Sequence, residues 1–141
     1  MNSNWKKKSI GQICSIKRGA SPRPIHEWIT KEDGIPWVKI SDANSDNGNF
    51  INKTSSKIKN GGNSHSVEVF PGDLILSNSA TPGIPKIMGI YACIHDGWLL
   101  LRDFKNINKE FLFYLLQKER SNLLAKGNGS VFTNLKTDIL R

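Results

Sequence analysis

FPGDLILSNSATPGIPKIMG, residues 70–89, changes character halfway along, and that change sets the reading of the whole chain. Pro71 and Gly72 make a turn closed by Asp73. Leu74, Ile75 and Leu76 follow as a short apolar run, the pattern of a strand buried on both faces. Ser77, Asn78, Ser79 and Thr81 then offer hydroxyls and an amide, while Pro82, Gly83 and Pro85 oppose a continuing strand or helix. A rigid strand thus delivers a small, polar, turn-rich loop, and binding residues concentrate on loops held by a scaffold. An ordinary surface connection has the same composition, so the loop is a candidate and not yet a site.

Downstream, residues 86–88 and 90–94 read as a strand pair interrupted at Gly89. His95-Asp96-Gly97 is a hairpin signal, because Asp-Gly favours the twist that joins antiparallel strands, and residues 98–101 return as an apolar strand. Asn106 or Asn108 caps a helix that carries Glu110 in its first turn and Phe111, Leu112, Leu115, Leu116 and Leu123 as its apolar stripe, with Gly127 as a stop. The stripe falters at Arg120-Ser121-Asn122, which predicts a break into two helices. Lys126-Gly127-Asn128-Gly129-Ser130 is a basic, glycine-rich loop, and residues 136–141 read as the start of a truncated segment.

Upstream, residues 42–62 are rich in Asn, Ser, Asp, Lys and Gly, which predicts a long mobile surface loop pinned only by Phe50, Ile51 and Ile58. Trp37, Val38 and Ile40 argue for a strand before it. Near the start, Ser9 is placed to cap a helical turn that directs Ile10, Ile13 and Cys14 inward. Lys17-Arg18-Gly19-Ala20-Ser21-Pro22-Arg23-Pro24 is a basic loop whose backbone amides, Ser21 hydroxyl and Arg23 guanidinium suit phosphate oxygens. These elements predict a mixed α+β fold: one domain over residues 1–141 with a twisted mixed or antiparallel sheet, a short N-terminal helical turn and C-terminal helices.

Apolar residues make up 38% of the 141 and charged ones 23%, with no apolar run long enough to cross a membrane. No secretory signal follows the first lysines, so a cytoplasmic location is expected. Cys14 and Cys93, far apart and in apolar contexts, suit buried reduced thiols. The net charge of +8 points to nucleic acid, since no basic amphipathic helix suggests a membrane. That charge has a location: Lys6, Lys7, Lys8, Lys17, Arg18, Arg23 and Lys31 stand against Glu27 alone in residues 1–31.

Phosphate-loop, dinucleotide and nucleophile-elbow motifs are absent, and His26, His65 and His95 are too isolated to hold a metal, so no cofactor is expected. His95-Asp96 reads as local turn chemistry. Two other functions stay open. Asp73 with Asp103 and Lys105 has the residue types of a Mg²⁺-dependent nuclease, and Trp5, Trp28 or Trp37 would be the stacking platforms of an RNA-binding module.

The order of motifs resembles the target recognition domain of the specificity subunit of type I restriction-modification systems. The pieces are Trp5 with Ile10-Gly11-Gln12-Ile13, Arg18-Gly19-Ala20-Ser21-Pro22, Gly34-Ile35-Pro36-Trp37-Val38-Lys39-Ile40-Ser41-Asp42, Pro71-Gly72-Asp73-Leu74-Ile75-Leu76-Ser77, Gly97 to Arg102, the helix at Phe111 to Leu116, and Gly127 to Leu135. The resemblance implies a non-catalytic reader of double-stranded DNA that recognises half of a split target and works with methylase and restriction subunits. The resemblance implies a long helix after Leu135 that pairs the domains and docks the methylase, and on this reading that helix is expected to be missing beyond Arg141. On this reading Lys17, Arg18, Arg23, Lys39, Lys86, Lys126 and Ser130 contact the DNA backbone, and Asn44, Ser77, Asn78, Ser79, Thr81 and Arg102 read bases.

Overall fold

The computed structural model describes residues 10–45, 48–79 and 82–125. A helical turn, α1 (Ile10–Ile13), leads into β1 (Ser15–Arg18); α2 (Ile25–Trp28), β2 (Ile29–Thr30), β3 (Ile35–Val38) and α3 (Ile40–Ser45) follow. Next come β4 (Phe50–Ile51), β5 (Ser56–Ile58), a 3-10 turn (Gly62–His65) and β6 (Val67–Val69). The chain continues through β7 (Leu74–Ser77), β8 (Pro85–Met88), β9 (Ala92–Ile94), β10 (Trp98–Arg102) and α4 (Lys109–Ala125).

The turn before β7 forms as its residues require. Gly72 takes φ 95°, a conformation open to glycine, and the Asp73 N–H closes the turn on the Phe70 carbonyl at 2.9 Å. Leu74, Ile75 and Leu76 are all fully buried, because alternate residues of β7 face different layers. Leu74 and Leu76, with Leu99 and Leu101 of β10, pack on Ile13, Leu112, Phe113 and Leu116 of the helices. Ile75, with Met88, Trp98 and Leu100, packs on Val38, Val67, Val69 and Ile94 of a second sheet. Beyond that sheet, Trp37, Ile58 and Cys93 meet Ile25 and Trp28.

The class is mixed α+β as expected, but the strands divide into two five-stranded sheets, ordered β1-β10-β7-β8-β4 and β2-β5-β3-β9-β6. Each is antiparallel except for one parallel pair, β4 with β8 and β3 with β9. The expected hairpin at His95-Asp96-Gly97 is therefore a corner. The turn does form, Trp98 N–H donating to the His95 carbonyl at 3.1 Å, yet β9 pairs with β3 and β6 while β10 pairs with β1 and β7. Asp-Gly chemistry reverses the chain without choosing its partner, and two strands apolar on both faces each find cover by entering different layers.

Residues 42–62, expected as a long loop, also differ, since they contribute β4 and β5. Each strand is only two or three residues long with one buried side chain, Ile51 or Ile58, so the polar neighbours hide it in the sequence. Asp42 organises this segment: Oδ2 accepts the Lys39 N–H at 2.7 Å at the start of α3, and Oδ1 accepts the Ser55 N–H at 3.1 Å. Pro85, expected to block a strand, opens β8, where a missing N–H is tolerated.

α4 begins where Asn108 Oδ1 accepts the Phe111 N–H at 3.0 Å, as predicted, but runs unbroken through residues 120–122. Helical hydrogen bonding does not need an apolar stripe at every turn, and Arg120 Nε ties that turn to the Pro82 carbonyl at 3.2 Å. Cys14 and Cys93 are free and buried, and burial pushes both thiols up to about 11. Among the described residues no helix is long and apolar enough to cross a membrane.

Candidate nucleic-acid interface

The register of the first sheet gathers three chain ends at one edge. Arg18, the last residue of β1, lies opposite Leu99, and Trp98, the first of β10, lies opposite Ser77, the last of β7. The segments that leave this edge are bonded to one another. Gly19 N–H donates to the Trp98 carbonyl at 2.9 Å, Ala20 N–H to the Ile94 carbonyl at 3.0 Å, and Asn78 N–H to the Gly97 carbonyl at 2.9 Å. Ser66 Oγ adds a bond to the Ala20 carbonyl at 2.6 Å.

Two glycines make this approach possible. A Cβ at Gly19 would sit 2.0 Å from the His95 carbonyl oxygen, and one at Gly97 would sit 2.3 Å from Ser79 Oγ. His95 stiffens the corner: its Nδ1 accepts the Gly97 N–H at 2.8 Å and its ring lies 5.8 Å from that of Trp37. Burial lowers the His95 pKa against a smaller upward pull from Asp96, so the ring is neutral at pH 7, as an accepting Nδ1 requires. Beside this corner a cleft of about 630 Å³ is lined by Ser21, Pro22, Arg23, Pro24, Ile25, His26 and Asp96.

The predicted contact residues fall into distinct groups. Lys17, Arg18 and Arg23 are exposed on β1 and the segment after it, beside exposed Ser79 and half-buried Asn78. Asn78 Nδ2 is buried without a hydrogen-bond partner among the described residues, an arrangement that costs stability. Ser77, Lys86 and Arg102 instead have internal partners. Ser77 is fully buried and its Oγ accepts the Ile84 N–H at 2.8 Å; buried Lys86 donates to the Gly48 carbonyl.

Arg102 sits at the far end of β10, opposite Ser15, where Nε and Nη2 grip Asp73 Oδ1 and Oδ2 at 2.9 and 2.6 Å. Partial burial raises the Asp73 pKa, but Arg102, the Phe70 N–H and Lys109 outweigh that and hold the carboxyl below its usual range. Lys39 is half-buried before α3, and Asn44 lies within α3. Thr81, Lys126 and Ser130 fall outside the described residues.

The same geometry bears on the alternatives. Both Asp73 oxygens are engaged by a guanidinium, which leaves the Asp73, Asp103 and Lys105 set poorly built for Mg²⁺, and no group of three metal-binding side chains occurs among the described residues. Trp37 is buried and offers no free stacking face, while Trp28 is partly buried against the second sheet with its ring 5.6 Å from that of His65; Trp5 lies outside the described residues.

His95 and Asp96 were readable in the sequence only as a turn. Their place at the meeting of three loops comes from strand register, which no local pattern encodes.

A family model for the type I restriction modification DNA specificity domain matches residues 2–141. Among solved structures, the HsdS subunit from Thermoanaerobacter tengcongensis is similar with a TM-score of 0.68 at 21% identity, over 86% of this chain and 29% of that one. A structure from work on complex assembly and conformational transition of the type I R-M system gives a TM-score of 0.71 at 19% identity, over 96% of this chain and 34% of the other. The type I restriction-modification S subunit from M. genitalium gives 0.59 at 16% identity, over 89% of this chain and 30% of that one. At such identities the likeness speaks for the fold, and the chain spans about a third of the length of each of these structures. With its motif order, its two-sheet architecture and a family match over nearly its full length, the chain belongs to the type I restriction modification DNA specificity domain family.

Proposed function

We propose that this chain is a non-catalytic, sequence-specific reader of double-stranded DNA, recognising one half of a bipartite target and directing methylase and restriction subunits that carry out the chemistry. The observation that carries this reading is the hydrogen-bonded convergence of the basic segment after β1 with the loop after β7 and the corner before β10. Lys17, Arg18 and Arg23 supply charge for phosphates, while exposed Ser79 presents a hydroxyl to base edges; Asn78, its Nδ2 buried, stays in the proposed set on its sequence alone. Ser77, Lys86 and Arg102 are assigned to holding the scaffold. Lys39, Asn44, Thr81, Lys126 and Ser130 remain in the proposed set on their sequence alone. Acting on DNA beside a methylase places the protein in the cytoplasm.

Selection from a randomised duplex pool, with and without the methylase subunit, tests the proposal. The expected result is enrichment of a defined half-site whose affinity falls with salt, the slope in log units being about −0.9 per neutralised phosphate. Equal affinity for every duplex in both conditions refutes it.

A further inference from the structure

The cleft beside the corner carries a carboxylate that the reading above does not use. Asp96 is 63% exposed at its side chain and lines the cleft with Arg23, Ser21 and His26. Among the described residues the basic atom paired with it is His95 Nδ1 at 3.9 Å, and that nitrogen accepts the Gly97 N–H at 2.8 Å, so it carries no proton to neutralise the acid. An exposed carboxylate sharing a cleft with Arg23 repels phosphate at every DNA sequence. In an interface with DNA, its favourable partner is a hydrogen-bond donor.

The major-groove edges of the bases select the partner. Guanine shows two acceptors, N7 and O6, and thymine shows the O4 acceptor, so both repel a carboxylate. Adenine offers its N6 amino group, but beside the N7 lone pair, which asks for a donor that a carboxylate lacks. Cytosine offers its N4 amino group with no acceptor on the same base beside it in the groove.

Resting on the proposal that this end of the molecule binds duplex DNA, we infer that Asp96 reads a cytosine through its N4 amino group in the major groove, with Arg23 anchoring a phosphate at the rim of the cleft. Asp96 is then a specificity-determining residue, and the bland alternative is that it serves the turn alone.

The variant Asp96→Asn separates the two, because Asn suits the same turn and adds the donor that adenine N7 needs. Duplex selection with the 141-residue chain, in the presence of the methylase subunit, is run for both proteins. The wild type enriches a half-site containing at least one C·G pair. In Asp96→Asn, preference for cytosine at one position falls by about 5- to 150-fold, the range of one good base contact, and moves toward adenine, while affinity for random duplex rises. Replacing the guanine of that pair by inosine removes only the minor-groove amino group and leaves wild-type affinity unchanged.

A thermal melt of Asp96→Asn checks that the corner still folds. An unchanged cytosine preference in the folded variant, a wild-type half-site without cytosine, or a loss of affinity with inosine each overturns the assignment while leaving the DNA-reader proposal standing. No sequence preference in the wild type overturns both.

Discussion

Replacing Arg102 by methionine removes the guanidinium while keeping an unbranched stem beside Phe70, whose ring centroid lies 5.8 Å from the Arg102 guanidinium carbon. Two charge-assisted bonds to Asp73, at 2.9 and 2.6 Å, are lost. Fully buried, each would contribute about 1.5–3 kcal/mol. Here the arginine side chain is 39% exposed and the aspartate 15%, so solvent screens the pair. Asp73 also keeps the Phe70 N–H at 2.7 Å and is not left bare. The net loss is therefore about 1–3 kcal/mol, which lowers the melting temperature of a domain of this size by about 3–10 °C.

The effect has a signed pH dependence. Asp73 titrates lower in the folded protein than unfolded, so its stabilisation is complete above the unfolded value of about 3.9 and disappears as pH falls through the folded one. The gap between wild type and Arg102→Met is thus widest near neutrality and closes in acid. Thermal unfolding followed by circular dichroism from pH 7 downward measures it, and duplex selection with the same variant should return the wild-type half-site. A melting temperature within about 1 °C of wild type, a gap that widens in acid, or relaxed preference at one base position refutes the structural assignment of Arg102.

Gly19→Ala places a methyl 2.0 Å from the His95 carbonyl oxygen and forces apart the bonds at Gly19 and Ala20, costing about 2–4 kcal/mol in a urea titration and lowering DNA affinity with it. Arg18→Ala leaves stability within about 0.5 kcal/mol of wild type and flattens the salt dependence of DNA binding by about 0.9 in log slope, whereas an unchanged slope removes Arg18 from the interface. Plasmid incubated with the chain and Mg²⁺ stays intact, and cleavage that Asp103→Ala abolishes would restore the nuclease reading.

Particular residues mark how far the sequence could be read. Leu74, Ile75 and Leu76 announced a strand covered on both faces because burial on two sides demands an apolar residue at every position. Asn108 and Gly72 announced a helix start and a turn because a side-chain acceptor and a positive φ are local requirements. Ile51 and Ile58 escaped notice because a strand with one buried side chain has no periodicity to detect. Arg102 carried the chemistry of a base reader and turned out to grip Asp73, 29 residues away in the chain, a partnership set by the alignment of β10 beside β7.

Local chemistry therefore determined by itself the α+β class, the two-sided burial of the central strand, the cationic character of residues 1–31 and the motif order of the family. Tertiary structure alone decided that Asp-Gly turns a corner between two sheets, that residues 19, 78 and 97 meet at one edge, and that Asp96 faces a cleft shared with Arg23. The reason is one of range: turns, caps and alternation depend on neighbours a few residues apart, whereas strand partnership follows from which apolar faces remain to be covered once the whole chain is packed.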